Sequence, residues 1–358
     1  SSQNFQQEVL ESHHECLITQ REAVKYRLKS LAVHQSEITK KSSMIKESIV
    51  LKYQEIQKVL DEDLKLTLSH LEMEERAAVT ALDLLMERNH SLIQEIEQDL
   101  ARLEMVLDQN QLEAVVTHQS VDTVERVIDL LNTTDPSSVS LDEGKAEQIL
   151  ILTNNLLDLV HSQTPTIKKI IKSYSSKVCL DPRTAHPKLL ISPDGDSVTY
   201  TDDWQDLPNI PGRFDTTLNV ISLQAFSSGH HYWEVNVSGK TYWELGVTYP
   251  TISRKGTTED CWLGRGAESW CVEYFDGDYT AWHSGLPHQL PSARPFCHIG
   301  ILCSFPAGLV TFLEADEMTP LFSFSAGTFL DCLHLALCPG HNHNGNNGNP
   351  IIICNVSS

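Results

Sequence analysis

The residues able to do chemistry in this chain are nine cysteines, sixteen histidines and one cluster of lysines, and their spacing decides what that chemistry could be. No two cysteines stand in C-x-x-C spacing, so neither a zinc ribbon nor a dithiol redox motif is written here. His13, His14 and Cys16 are close in sequence, but on a helix the offsets of one and three do not make one face, and they read as a wet helix surface. His186 and His231 could serve as acid or base. No Ser or Cys nucleophile motif and no paired carboxylates accompany them, and no phosphate-cradling Walker loop occurs anywhere. Asp181, directly before Pro182, is a turn-forming acid rather than a catalyst. We therefore assign no catalytic residue and no metal ligand in the chain. Lys168, Lys169, Lys172 and Lys177 form the only basic cluster. They could dock RNA or anionic lipid, or simply solvate a helix end, and four bases offer few phosphate contacts.

The composition limits the setting. The net charge is −21, with acid in both halves, which disfavours a general nucleic-acid footprint. The odd cysteine count and the lack of an apolar leader fit free thiols in a reducing, cytoplasmic compartment. The sequons at Asn89, Asn132, Asn236 and Asn355 then read as chance matches. No apolar run approaches the ~18 residues of a membrane span. Ser1 opens directly into helix without Met, as in a piece of a longer protein.

The element that organises the chain is residues 10–107, which hold no Gly and no Pro. Leu10, Leu17, Val24, Leu31, Ile38 and Ile45 recur every seven residues. The step then becomes eleven through Ile49, Leu60, Leu71, Leu82 and Ile93, and Leu82, Asn89, Ile96 and Leu103 return to sevens. Seven is the coiled-coil period, and eleven keeps the seam in line with less left-handed supercoil. At ~1.5 Å per residue such a helix is a rod roughly 150 Å long. A lone rod cannot bury its own apolar stripe, so a second copy is expected on the seam, with Ile49, Leu60, Leu71, Leu82 and Ile93 as dimerisation residues. The layout of sevens, elevens and sevens fits a two-fold axis between residues 60 and 82.

The pattern loosens at 108–111. A second helix is expected on Leu112, Val115, Val116, Val124, Val127, Ile128 and Leu131. Residues 132–144, with the first Pro and the first Gly, read as a linker, and a third helix is expected over 145–161. Both short helices are expected to fold back onto the rod. After Val178 the composition changes: all six Trp lie beyond residue 200 and sixteen of seventeen Gly beyond residue 190. Strand-like runs at 231–237, 242–249, 270–274, 299–303, 309–313 and 351–356 alternate with turns such as Asp194-Gly195, Ser238-Gly239, Asp276-Gly277 and Ala307-Gly308. That pattern is an all-β sandwich, with Trp233, Trp243 and Trp270 as packing residues. The stretch 340–349 (GHNHNGNNGN) reads as a flexible surface loop. The expected organisation is a rod over 1–110, fold-back helices and linker over 111–177, and a sandwich over 178–358.

The β half resembles the PRY–SPRY domain of the tripartite-motif (TRIM) and butyrophilin families. The resemblance is carried by Leu180-Asp181-Pro182-Arg183-Thr184-Ala185-His186-Pro187-Lys188-Leu189, by Gly229-His230-His231-Tyr232-Trp233-Glu234-Val235 and by Trp243-Glu244-Leu245-Gly246-Val247. Leu337-Cys338-Pro339-Gly340 and Pro350-Ile351-Ile352-Ile353-Cys354 close it. With the rod in front, the chain resembles the coiled-coil plus PRY–SPRY portion of a TRIM protein. It departs from the family at Cys303-Ser304-Phe305-Pro306, where relatives often carry Leu-Asp-Tyr-Glu, so no role of that acidic pair is transferred.

The resemblance implies an α + β multidomain architecture: a long, antiparallel, dimeric coiled coil with short fold-back helices, then the sandwich. It implies that any ubiquitin-ligase activity, its zinc and its ubiquitin-conjugating enzyme belong to RING and B-box modules ahead of residue 1, with no cofactor in this chain. It also implies a target-binding surface on the sandwich loops. Here those loops carry Trp204 (202–214), Arg254 and Lys255 (253–262), and Glu273, Phe275, Asp276, Asp278 and Trp282 (273–283). Aromatic and Arg side chains supply much of the energy at protein interfaces. The expected function is dimerisation and protein-target recognition for a TRIM-type ligase, with innate antiviral signalling as a setting. The second reading is an RNA-binding or membrane-associated scaffold using residues 168–177.

Overall fold

The computed structural model describes residues 2–109, 118–133, 135–291 and 294–355. It divides into two compact units, 1–149 and 150–358.

The first unit is built on one helix, α1 (Ser2–Asp108), of 107 residues. With no Gly or Pro to break it, the backbone ladder runs on, and the end falls where the apolar pattern loosens. The seam residues meet water: Ile49 is 52% exposed, Leu60 40%, Leu82 37% and Ile93 49%, while Leu71 is half-buried. Helix α2 (His118–Thr133) turns back against α1. Arg126 meets Glu95 at 2.8 Å, and Lys145, at the start of α3 (Glu143–Gln163), pairs with Glu74. The partners on α1 recede as the chain advances, so the return is antiparallel, as expected. Asp142 caps α3 by accepting from Lys145 N at 3.0 Å. Leu112, Val115 and Val116 of the expected second helix lie outside the described residues.

The second unit opens, after the end of α3, with α4 (Thr166–Ser173), where the sequence reads as linker. Its Ile171 is buried with Tyr232, Leu313 and Met318, which seats the helix on the sandwich. The strands are β1 (Leu189–Ile191), β2 (Ser197–Tyr200), β3 (Val220–Phe226), β4 (His230–Asn236), β5 (Tyr242–Thr248), β6 (Ser269–Phe275) and β7 (Asp278–His283). They continue as β8 (Leu286–Gln289), β9 (His298–Ser304), β10 (Leu309–Glu314), β11 (Thr319–Ser325), β12 (Leu333–Cys338) and β13 (Ile351–Ile353). One sheet has the order β1-β2-β13-β4-β9-β10-β11 and the other β3-β12-β5-β6-β7-β8; every pairing is antiparallel.

Strand alternation sorts the side chains. On β5, Trp243, Leu245 and Val247 enter the core between the sheets, as do Trp270, Val272 and Tyr274 of β6 and Tyr279 and Ala281 of β7. Trp233, Trp243 and Trp270 are buried there, the packing role the sequence assigns them. Tyr242, Glu244 and Gly246 alternate with the core residues of β5, so they take the outer face, with Cys271, Glu273 and Phe275 of β6 and Asp278, Thr280 and Trp282 of β7 paired beside them. Part of that outer face is roofed by loop residues Phe214, Ile252 and Leu263, which bury Ile221, Cys271, Ala336 and Cys338 beneath them. The uncovered part is the subject of the next section.

Candidate functional site

Tyr242 of β5, Phe275 of β6 and Cys338 of β12, with the adjoining loops, build a groove on the outer face of the six-stranded sheet. The cavity is about 510 Å³ and is bordered by Thr216–Leu218, Thr241, Tyr242, Trp262, Phe275, Asp276, Cys338 and the loop after β12. Phe275 stands at the end of β6, where Asp276 (φ 44°) and Gly277 (φ 96°) make the two-residue turn into β7. Positive φ at both positions matches the right-handed twist of the hairpin, and it projects Phe275 and Asp278 side by side on the outer face. Phe275 is 59% exposed and meets the Tyr242 ring edge to face at 5.8 Å. An exposed aromatic held by a rigid hairpin is a pre-organised apolar anchor, with little side-chain entropy left to lose.

The far wall corrects a reading of the sequence. Residues 340–349 have the composition of a flexible loop, yet Asn347 is buried and its side chain makes five hydrogen bonds. Its Oδ1 accepts from Thr241 N (3.0 Å) and Tyr242 N (3.2 Å), and its Nδ2 donates to the carbonyls of Tyr242, Pro339 and His341 at 3.0–3.1 Å. Lys240, also buried, donates to the carbonyls of Asn347 (3.2 Å) and Asn349 (2.8 Å). Burial lowers the Lys240 ammonium to about 8. The low-complexity segment is therefore a clamped wall, with Asn344 and Asn346 left exposed along it as amide donors and acceptors.

Beside the groove lies a buried ionic cluster. Arg265 meets Glu244 at 2.8 Å and Glu273 at 2.7 Å, donates to the Leu263 carbonyl at 2.7 Å and lies 4.1 Å from the Trp282 ring centroid. Glu244 is fully buried; burial raises its pKa well above the carboxylate range, against the pull of Arg265. Glu244 Oε2 and Trp282 Nε1 have no hydrogen-bond partner among the described residues. The cluster ties β5, β6 and β7 together across the outer face of the sheet.

The sequence-predicted residues divide into three places. Glu273, Phe275, Asp276, Asp278 and Trp282 come together on and beside the β6–β7 hairpin. Arg254 is drawn inward: it donates to the carbonyls of Ile252 (3.1 Å), Gly212 (2.6 Å) and Pro250 (2.8 Å) and lies 5.2 Å from the Phe214 ring centroid, so it holds the roof loops together. Lys255 reaches Asn209 at 2.6 Å. Trp204 is exposed but packs edge-on against His186 and does not line the groove. Sequence reasoning passed over Arg265 and Asn347; no short-range pattern marks either one. The basic cluster is largely engaged, with Lys168 on the Asp316 carbonyl (3.3 Å), Lys169 on Gln163 (2.5 Å) and Lys172 4.0 Å from Glu234.

The reactive side chains near this arrangement are buried or engaged in structural hydrogen bonds. Cys271 and Cys338 face the same side, but burial pushes both thiols up, so neither is a thiolate at neutral pH. His231 is spent on Ser176 Oγ (2.8 Å) and the Ser228 carbonyl (2.7 Å). His186 Nδ1 accepts from Lys188 N at 3.0 Å. Asp181 accepts from the backbone and side chain of Arg183, the turn-former expected of it. Among the described residues no group of His, Cys, Asp or Glu gathers as a metal site, and no helix is long and apolar enough to cross a membrane.

Comparison with known proteins places this site in a family. The SPRY-associated domain (PRY) model matches residues 178–226 and the SPRY domain model matches residues 230–349. The E3 ubiquitin-protein ligase TRIM58 of Mus musculus is 28% identical over 334 residues, 89% of this chain and 63% of that protein. Tripartite motif-containing protein 14 of Mus musculus is 34% identical over 172 residues, covering 48% of this chain and 39% of the relative. The crystal structure of the TRIM65 PSpry domain aligns with a TM-score of 0.47 at 25% identity, over 52% of this chain and 94% of that one. The chain thus spans less than two-thirds of the length of these curated relatives. With PRY and SPRY matched in order behind a long helix, the chain carries a PRY–SPRY portion and is similar to tripartite-motif proteins.

Proposed function

We propose that this chain is the dimerisation and target-recognition part of a TRIM-type RING ubiquitin ligase. The groove beside Phe275 captures a protein target, and α1 pairs with a second copy through Ile49, Leu60, Leu71, Leu82 and Ile93 as a coiled coil. The ligase step, its zinc and its ubiquitin-conjugating enzyme belong to a RING module outside these residues, and the working setting is cytoplasmic, in innate antiviral signalling. The observation that carries the reading is the exposed, hairpin-held Phe275 in a walled groove. The row of exposed seam residues on α1 supports the dimer, because an unpartnered apolar stripe is costly in water.

Two experiments test it. A photo-crosslinking amino acid at position 275 should trap protein targets in cells, and the same group at Leu330, still more open to solvent, should not; equal yields would remove the groove from consideration. Light scattering on the chain should give twice the chain mass. Leu71→Asp or Leu82→Asp should give monomer, because each copy would bury an unpaired carboxylate in the seam, at a cost of several kcal/mol. A dimer that survives both changes would refute the seam.

A further inference from the structure

The ionic groups around the groove are unevenly paired. Asp276 lines it and Asp278 is the cross-strand partner of Phe275; both are exposed, and neither has a salt bridge among the described residues. The turn Glu259–Cys261, which leads into Trp262, abuts the groove wall where Thr217 Oγ1 donates to the Cys261 carbonyl at 3.4 Å. It adds the exposed carboxylates of Glu259 and Asp260.

The neighbouring Arg and Lys side chains are engaged. Arg265 is held between Glu244 and Glu273, Arg254 by three carbonyls, Lys240 beneath the 340–349 wall, and Lys255 on Asn209. An anion entering the groove would meet the Asp276 carboxylate and, among the described lining residues, no Lys or Arg. A cation would meet carboxylates and the exposed rings of Phe275 and Trp262, whose faces attract positive charge. A volume of about 510 Å³ admits a few side chains rather than a whole folded surface. The exposed amides of Asn344 and Asn346 can pair with the backbone of an extended segment.

We infer that the groove takes a basic peptide segment of a partner protein: an apolar side chain seated against Phe275 and Tyr242, with an adjacent Lys or Arg answering Asp276 and Asp278. This rests on the groove being the recognition site and adds the chemistry of what enters it. The overall charge of −21 works in the same direction, steering a basic partner inward at a rate that falls with salt.

The test selects random displayed peptides on the full chain and then measures the synthesised winners by fluorescence anisotropy. They are measured against the parent, Phe275→Ala, the double variant Asp276→Asn with Asp278→Lys, and Trp204→Ala. Asn is chosen at 276 because it tolerates the positive φ there, so the hairpin is kept. The selected peptides should carry Lys or Arg next to an aliphatic or aromatic residue. Phe275→Ala and the charge variant should each weaken them about tenfold or more, and Trp204→Ala should not. Affinity should also fall between ~50 and ~300 mM salt. Winners that need Phe275 but lack basic residues, or that bind the charge variant undiminished, overturn the inferred chemistry and leave the groove standing. Winners indifferent to Phe275→Ala overturn the groove itself.

Discussion

Replacing Arg265 with Met should cost the β sandwich about 3–5 kcal/mol at neutral pH, and the cost should shrink in acid. Met keeps an apolar stem against Trp282 but removes the ion pairs to Glu244 and Glu273 and the bond to the Leu263 carbonyl. Glu244 is then fully buried with no cation beside it. It escapes by keeping its proton, so its folded pKa, already raised by burial, rises further, while the unfolded value stays near ~4.3. A carboxyl with a raised folded pKa makes the folded state the better proton binder. Stability is then fully present below the unfolded pKa and is lost as pH rises toward the folded one, by up to ~1.4 kcal/mol per unit. Between about pH 5 and 7.5 the variant should therefore lose up to ~3 kcal/mol from this group, under ~1 kcal/mol more than the parent, whose own Glu244 is raised to about 7. Adding Glu244→Gln should return about 2 kcal/mol at the upper pH and flatten the profile. Urea unfolding followed by tryptophan emission measures this in the intact chain, because all six Trp lie beyond residue 200 and the signal reports the sandwich alone. An equal loss at both pH values, with no rescue by Glu244→Gln, would refute the electrostatic account and leave lost packing on Trp282 as the cause.

Asn347→Ala should destabilise the sandwich by ~2–4 kcal/mol, since two backbone N–H groups and three carbonyls lose their partner in a buried site. At ~2–4 °C per kcal/mol the tryptophan-detected midpoint should drop by ~5–15 °C, and Asn347→Asp should fall further because its carboxylate would face three carbonyl oxygens. Gly246→Ala should leave no folded sandwich in circular dichroism, because its Cβ would sit 1.9 Å from the Trp270 carbonyl oxygen across the β5–β6 pair.

The parts of the fold legible in the sequence are those set by neighbours in sequence. The strand run expected at 242–249 is β5 (Tyr242–Thr248), and the helix expected over 145–161 is α3 (Glu143–Gln163), because alternation and helical period are local signals. Asp276-Gly277 likewise announces its own turn. The site is half legible for the same reason. Phe275, Asp276 and Asp278 belong to one hairpin and so arrive together. Arg265 meets Glu244 across 21 positions and Glu273 across eight, through a register that sequence spacing does not encode. Arg254 misleads in the opposite direction: an Arg in a loop looks available, yet three nearby carbonyls consume it. Asn347 shows the limit of composition, since an Asn-rich run reads as flexible until one amide finds five backbone partners at once. The seven-stranded sheet order, with β13 between β2 and β4, is likewise invisible until the chain closes.

In the proposed function the seam and the groove are separable halves of one mechanism, and that separation has a quantitative consequence. A groove that seats a few side chains supports only modest affinity for a single segment, since most of the gross contact energy is consumed by ordering and desolvation. Two grooves on one dimer turn the second encounter into an intramolecular one, at an effective concentration on the order of 1 mM. Against a single-site Kd of about 10 µM that is a gain of about a hundredfold, available only where the target presents its segment more than once. Breaking the seam should therefore leave the affinity for an isolated peptide unchanged and remove the advantage for a repeated target. Altering Phe275 should instead lower both together. On the proposed reading, the helix would supply multiplicity and the hairpin the chemistry of recognition.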